Sequence, residues 1–185
     1  RFLNPRLESL FDPFGLKGMD RAVDRLKKAR DRQETVMIYG DYDVDGVTGT
    51  AVLSRLMKKF GIQARTYIPH RMEEGYGLNY DVVPLAKAEG VSLLITVDCG
   101  ITSAGEVEEL ARAGIDSVVI DHHEADGDRI PDAVSVIDPK QADDDYPFRD
   151  LAGEGLAAKF AQAVLGHFPV DDLDLVALGT VAEMV

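Results

Sequence analysis

The sequence offers little that would tie it to an oxidising compartment, a membrane or an extended nucleic-acid backbone. Cys99 is the one cysteine in 185 residues, so no internal disulfide can form and a reducing, cytoplasmic setting is expected. No apolar run approaches the ~20 residues that a membrane-crossing helix requires, and no secretory leader is visible. No membrane association is expected. Basic residues are outnumbered, 20 Lys and Arg against 33 Asp and Glu, for a net charge of −13. That balance argues against a domain that grips nucleic acid alone by broad phosphate neutralisation. It suits a site that gathers divalent cations. Internal repeats and low-complexity segments are missing as well.

What is present is an ordinary globular balance, 45% hydrophobic and 29% charged, at a length for which one domain is the default. The chain begins at Arg1 without Met and ends at Val185 inside an apolar helical pattern. It reads as a fragment of a longer polypeptide.

Residues 1–18 carry Phe2, Leu3, Leu7, Leu10, Phe11, Phe14 and Leu16, broken by Pro5, Pro13 and Gly15, and are expected to wrap the domain in short helical turns. Met19–Arg32 has apolar residues at helical spacing. Short β-rich runs follow at Thr35–Tyr39, Gln63–Ile68, Leu93–Val97, Ser117–Ile120 and Ala133–Ile137, separated by helical patterns at Val47–Phe60, Tyr80–Glu89 and Ala104–Ala113. Ser103-Ala104-Gly105-Glu106 fits a capping box, with Gly114 after the helix end, and Gly61 closes the helix that starts after Gly46. Pro84 implies that the middle helix is bent or starts later. Such alternation predicts an α/β fold: a mostly parallel sheet of about five strands with helices on both faces, three layers in all. Residues 19–140 would form this core, and residues 150–185 a helical part, with helices at Leu156–Leu165 and from about Asp172 onward.

The chemistry concentrates in Gly40-Asp41-Tyr42-Asp43-Val44-Asp45-Gly46. Three carboxylates at alternate positions repel one another by about 4 kcal/mol per pair at ~4 Å and an effective dielectric near 20. A cation cancels that cost, and hard oxygen ligands favour Mg²⁺, Mn²⁺ or Ca²⁺. An EF-hand would place a bidentate Glu at the twelfth position of the loop; Val52 stands there. The other alternative is a solvated acidic turn.

Further candidates also follow strands: Asp98 in Val97-Asp98-Cys99-Gly100, and Asp121-His122-His123 behind Val118-Val119-Ile120. In parallel sheets, ligands bind beyond the carboxyl ends of the strands, and every candidate lies there. Ser103 fills the helix-cap role that would otherwise fall to Asp98. In extended chain, adjacent histidines point in opposite directions, so one ring is expected to face metal and the other a different partner, with Asp121 orienting a ring. Cys99 reads as a small buried residue and His167 as a surface group. An oxygen-rich set with one or two imidazoles favours Mn²⁺ or Mg²⁺ over structural zinc, and so many negative ligands suggest two ions.

Together these residues resemble the DHH phosphoesterase superfamily, named for the triplet seen at Asp121, His122 and His123. Gly40–Gly46 is similar to its first motif, Val97–Gly100 to its second, and Leu178-Gly179-Thr180-Val181-Ala182 to the start of its fourth. Ile68-Pro69-His70-Arg71 with Glu74-Gly75-Tyr76-Gly77-Leu78 resembles the signature of the RecJ branch, the single-stranded-DNA-specific 5′→3′ exonucleases; Asp138-Pro139-Lys140 and the Gly153/Gly155 turn are similar too. The resemblance implies that Asp43, Asp45, Asp98 and His122 ligate metal, with Asp98 bridging two ions, and that His123 lies beside the scissile phosphate.

Arg71 is the candidate phosphate holder, with a surface salt bridge as the alternative. His70 belongs to the same substrate loop, and Tyr76 either fills that loop or stacks on a base. Two departures stand out. Tyr39 occupies a position where several superfamily phosphatases carry His, which leaves Asp41 as the candidate for the missing ligand. Glu183 stands where the fourth motif has Asp. The family's second domain would lie outside this sequence.

The implied activity is two-metal hydrolysis of phosphodiesters in single-stranded DNA, in repair and recombination, with the strand guided by further domains and a single-strand-binding protein as a possible partner. The rivals are a hydrolase of small nucleotides on the same scaffold, disfavoured by His70-Arg71 and Gly75-Tyr76-Gly77, and a non-catalytic relative that binds DNA or a replication factor, disfavoured by the intact ligand set.

Overall fold

The computed structural model describes residues 6–127 and 129–184; Phe2, Leu3 and Pro5 of the expected N-terminal wrap lie outside the described residues. Strands β1 (Thr35–Gly40), β2 (Ala64–Tyr67), β3 (Val91–Val97), β4 (Asp116–Ile120) and β5 (Ser135–Ile137) form one parallel sheet in the order β2-β1-β3-β4-β5. The helices are α1 (Met19–Asp31), α2 (Val44–Phe60), α3 (Val82–Ala88), α4 (Ala104–Arg112), α5 (Gly153–Leu165) and α6 (Leu173–Glu183). Short 3₁₀ turns at Leu7–Ser9 and Pro13–Gly15 make up the described part of the N-terminal wrap.

Successive side chains of a strand leave opposite faces, and both faces here are apolar, as a covered parallel sheet requires. Val36, Ile38, Leu93, Ile95, Val97, Val118 and Ile120 pack in one core with residues of α1, α2 and α5. Met37, Tyr39, Leu94 and Val119 pack in a second core with residues of α3 and α4. The result is the expected three-layer αβα domain. Helix α6 lies against α2 and α5.

Several boundaries differ from the sequence expectation, for local reasons. Helix α2 starts at Val44, three residues early, because Asp43 caps it by accepting the Gly46 N–H at 3.0 Å. Helix α5 takes in Gly153-Glu154-Gly155. The capping box at Ser103–Glu106 does not form: Ser103 occupies the cap position without a side-chain hydrogen bond, its N–H closing a tight turn onto the Gly100 carbonyl at 2.9 Å. Gly61 and Gly114 end their helices in the left-handed conformation, with φ of 81° and 78°. Helix α3 starts at Val82, which puts Pro84 in its first turn.

Arg25 fastens α1 to the opposite, N-terminal edge of the sheet. Its buried guanidinium donates from Nε to Asp116 at 2.5 Å and from a terminal nitrogen to the Ser92 carbonyl at 3.3 Å, and lies 2.7 Å from Glu34. Breaking a fully buried pair costs ~3–5 kcal/mol, but the Asp116 side chain is 43% exposed. Arg25→Ala is therefore expected to lower the unfolding free energy of the full-length protein by about 2 kcal/mol, seen as a lower urea midpoint at unchanged slope.

Candidate metal centre

Register builds the centre. Gly40 of β1 pairs with Val97 of β3, Val97 with Ile120 of β4, and Ile120 with Ile137 of β5. Each of these four residues is followed by an aspartate, so Asp41, Asp98, Asp121 and Asp138 stand in a row along the carboxyl edge of the sheet, all buried. The Asp98 and Asp121 amides continue the ladder, donating to Ile120 O at 3.0 Å and Ile137 O at 3.1 Å. Strand order reverses between β1 and β3, the crevice where open α/β sheets hold ligands. Asp41 and Asp98 flank it.

The four carboxylates are satisfied unequally. Asp121 accepts the amides of Ile101 at 2.8 Å, His122 at 2.8 Å and His123 at 3.3 Å, and lies 2.7 Å from His123 Nδ1. Asp138 accepts the Lys140 amide at 2.8 Å. By contrast, neither side-chain oxygen of Asp41 has a hydrogen-bond partner among the described residues, nor does Asp98 Oδ2. Buried unpaired carboxylates are costly, and the cost is heaviest at Asp41, which leaves both oxygens unpaired, while Asp98 and Asp138 each leave one. Burial raises the carboxyl of Asp41, and burial with the charges of Asp45 and Asp43 raises that of Asp98 well above the carboxylate range. A divalent cation reverses both effects. Asp98 also adopts φ of +63°, a left-handed conformation that non-glycine residues take at a cost where their placement matters.

Two groups of donors converge on Asp98. Ligand atoms of Asp98, His122 and His123 lie within 4.8 Å of one another, as do those of Asp41, Asp43 and Asp98. Asp98 Oδ1 is 3.1 Å from His122 Nε2 and 4.0 Å from His123 Nδ1. A carboxylate shared by an all-oxygen group and a carboxylate–imidazole group is what a pair of ions with one bridging ligand requires. The unpaired oxygens and the donor chemistry fit Mn²⁺ or Mg²⁺.

His122 and His123 do not point in opposite directions as expected for extended chain. Their ring centroids are 4.5 Å apart, because Asp121 draws in both following amides and turns the backbone just past the strand. Burial and the neighbouring ring lower His122, while the Asp121 contact raises His123. Asp121 thus orients His123 rather than the more buried His122.

The expected substrate residues divide. Tyr76, 55% exposed, places its hydroxyl 2.9 Å from His123 Nε2 and meets Tyr42 edge-on at 6.3 Å. The exposed Arg71 lays its guanidinium 5.2 Å from the centre of the Tyr42 ring and forms no ion pair among the described residues, so the salt-bridge alternative is not realised. The His70 ring makes no hydrogen bond among the described residues and belongs to neither donor group. Glu183 and Lys140 line a cleft of about 460 Å³ with Tyr76, Asp121, His122 and His123; Glu183 stands outside both donor groups. Cys99 is buried and His167 exposed, as expected.

Sequence reasoning missed the other wall of the site. Asp45 accepts the amides of Gly153 and Glu154, at 2.8 Å each, from the N-terminus of α5, and its Oδ2 lies 3.4 Å from His122 Nε2. A Cβ on Gly153 would come within 2.9 Å of the Asp98 Cβ. Beside it the buried Glu154, raised to about 8 by burial and its contact with Asp45, accepts the Thr180 hydroxyl at 2.7 Å and so links α5 to α6. The paired glycines of Gly153-Glu154-Gly155 were the available signal.

Asp138 gives the centre a measurable pH signature. Burial pushes its carboxyl up to about 7, against the pull of the Lys140 amide. The folded value lies above the unfolded one, ~3.9, so its contribution to stability is complete below pH ~4 and lost as pH rises to about 7. In chelator-treated full-length protein, Asp138→Asn is expected to leave stability near pH 4 almost unchanged and raise it at pH 8 by about 4 kcal/mol. Urea unfolding at the two pH values measures this.

Fold and site together define a doubly wound α/β domain with a carboxylate–imidazole centre for divalent cations. The model of the DHH family, N-terminal domain, matches residues 35–180, and the chain belongs to the DHH family. The single-stranded-DNA-specific exonuclease RecJ of Bacillus subtilis (strain 168) is 46% identical over 184 residues, which cover 100% of this chain and 23% of that protein. A crystal structure of exonuclease RecJ bound to manganese matches with a TM-score of 0.82 and 38% identity, over 91% of this chain and 43% of that one. RecJ from Thermus thermophilus in complex with Mn²⁺ matches with a TM-score of 0.80 and 34% identity, over 98% of this chain and 26% of that one. The chain spans between 23% and 34% of the length of the curated relatives it matches. Among the described residues, no helix is long and apolar enough to cross a membrane.

Proposed function

We propose that this chain is the metal-binding catalytic part of a longer phosphodiesterase that removes nucleotides from the 5′ end of single-stranded DNA. The observation that carries the reading is the pair of donor groups sharing Asp98 at the sheet's crevice. Similarity to the single-stranded-DNA-specific RecJ exonucleases supports the substrate.

Asp43, Asp41 and Asp98 would hold one ion, and Asp98 with His122 the other, with Asp45 completing the set from its place against α5. A carboxylate oxygen that accepts one amide keeps a lone pair for a cation. Mn²⁺ or Mg²⁺ bound there supplies a lowered pKa for water and neutralises charge on the phosphoryl oxygens. The protein's own groups do the rest. Asp121 fixes the His123 ring, whose other nitrogen meets Tyr76 at the cleft where the scissile phosphate would lie. Glu183 and Lys140 form the far wall. Arg71, stacked on Tyr42, presents its fork outward to a phosphate. The rest of the polypeptide would guide the strand, in keeping with the acidity of this part. A cytoplasmic setting and a single-strand-binding partner belong to the same proposal.

The test is Mn²⁺-dependent digestion of end-labelled single-stranded DNA by the full-length protein. Mononucleotide release from the 5′ end alone is the expected result. Intact DNA beside rapid hydrolysis of a dinucleotide would assign the site to small nucleotides instead.

A further inference from the structure

The segment between β2 and α3 carries Tyr76 to the cleft and Arg71 to the Tyr42 ring beside Tyr76, and it is pinned at two points. At the first, the Glu74 carboxylate accepts the Tyr67 hydroxyl at 2.5 Å through one oxygen and the His70 amide at 2.9 Å through the other. At the second, the buried Tyr39 hydroxyl donates to the Gly77 carbonyl at 3.0 Å and accepts from Asn79 Nδ2 at 3.2 Å. The two pins brace each other, since the Tyr39 and Tyr67 rings stack with centroids 5.5 Å apart. Between them Gly75 and Gly77 have φ of 81° and 78°, so the backbone swings Tyr76 out toward His123 by conformations that other residues rarely adopt.

We infer that Glu74 is a positioning residue for substrate: its two hydrogen bonds hold the arch that sets Arg71 over Tyr42 and Tyr76 against His123. The inference deepens the proposed function and rests on it. Glu74 stands at the rim of the domain and touches no donor of the metal centre, so its contribution passes entirely through the arch. The arch needs two acceptors, or an acceptor and a donor, at fixed spacing. Gln satisfies that geometry: its carbonyl accepts from His70 and its amide donates to the Tyr67 oxygen. Ala does not.

The experiment uses full-length protein with Glu74→Ala, Glu74→Gln, Tyr67→Phe, Arg71→Ala and the double variant Glu74→Ala/Arg71→Ala. Two readouts are taken: steady-state digestion of single-stranded DNA with Mn²⁺, and anisotropy of a labelled 5′-phosphorylated oligonucleotide without metal. Glu74→Ala is expected to raise KM and weaken binding about tenfold, the effect of two lost hydrogen bonds, with kcat within about threefold of wild type. Tyr67→Phe, losing one bond, should show about a threefold effect. Glu74→Gln should match wild type. The double variant should be weaker than Arg71→Ala by clearly less than the tenfold that Glu74→Ala costs alone, because only the Tyr76 share of the arch is left to lose. Wild-type binding by Glu74→Ala, losses that multiply in the double variant, or an equal defect in Glu74→Gln would each overturn the inference. Intact DNA with the wild-type protein would instead overturn the proposed function, and the binding measurement would still decide the role of Glu74.

Discussion

Asp98→Asn is expected to abolish metal-dependent hydrolysis and, in the same protein, to make the metal-free state harder to unfold. The activity loss follows from position. Asp98 belongs to both donor groups, so its neutralisation weakens both ion sites at once; metal-ion catalysis is worth several kcal/mol, and a loss of ~1000-fold or more in kcat/KM is expected. Asn is the informative replacement because it is nearly isosteric and tolerates the left-handed backbone that Asp98 adopts. The stability gain follows from sign. Burial, then Asp45 and Asp43, raise the carboxyl of Asp98 in the folded protein. Ionising it therefore opposes folding at every pH above the unfolded value of ~3.9, and an amide carries no such penalty. Adding Mn²⁺ should reverse the order, because an ion that binds only the folded wild type stabilises it by about 2.7 kcal/mol at a hundred times its dissociation constant. Thermal unfolding of both proteins, with chelator and with Mn²⁺, measures the crossing. Digestion of DNA by Asp98→Asn at near wild-type rate would remove the metal centre from the mechanism.

The second large effect is structural in origin. Gly46 lies in the first turn of α2, folded back on the end of β1, and a Cβ there would sit 2.5 Å from the carbonyl oxygen of Asp41 and 2.7 Å from both its carbonyl carbon and its nitrogen. All three are backbone atoms, so no rotamer change relieves the clash. Overpacking of this kind costs up to ~3 kcal/mol, which at ~2–4 °C per kcal/mol for a domain of this size predicts a fall in Tm of roughly 6–12 °C. Any relaxation moves Asp41 against Asp43 and Asp45, and disturbance of groups that orient metal ligands typically lowers affinity by ~10–100-fold. Gly46→Ala should therefore lose both stability and Mn²⁺ affinity. Gly61→Ala is the control, since nothing lies within 4 Å of its added Cβ; its φ of +81° leaves only the strain of a left-handed alanine, ~1 kcal/mol, with no change in metal binding.

How much of this was legible in the sequence depends on the range of the contact involved. The strands were legible because Val36–Tyr39, Leu93–Val97 and Val118–Ile120 are apolar on both faces, and only a covered parallel sheet tolerates that. The aspartates beyond them were legible because the carboxyl-edge rule needs no coordinates. Local capping was less certain. Asp45-Gly46 looks like a turn, yet the Asp43 side chain converts it into the start of α2. Ser103 and Glu106 match a capping pattern that the turn from Gly100 pre-empts. Contacts across long stretches of chain could not be read at all. Asp45 meets Gly153 across 108 positions, and Tyr76 meets His123 across 47, distances set by register and helix packing rather than by neighbours. His70 shows the converse. Its place in a recognisable motif carries no information about where its ring points, and the structure gives that ring no partner among the described residues.

The row of four aspartates also constrains the order of events as the chain folds. Asp41, Asp98, Asp121 and Asp138 become neighbours only after β1, β3, β4 and β5 have paired, and the first two of these strands are separated by whole helices. No local fragment holds the complete donor set, so the finished site exists only once these strands have paired. The polypeptide must condense against its own electrostatic repulsion, relying on the two apolar layers to overcome it. A full set of ligands for the ions is therefore a property of the finished scaffold and of no part of it.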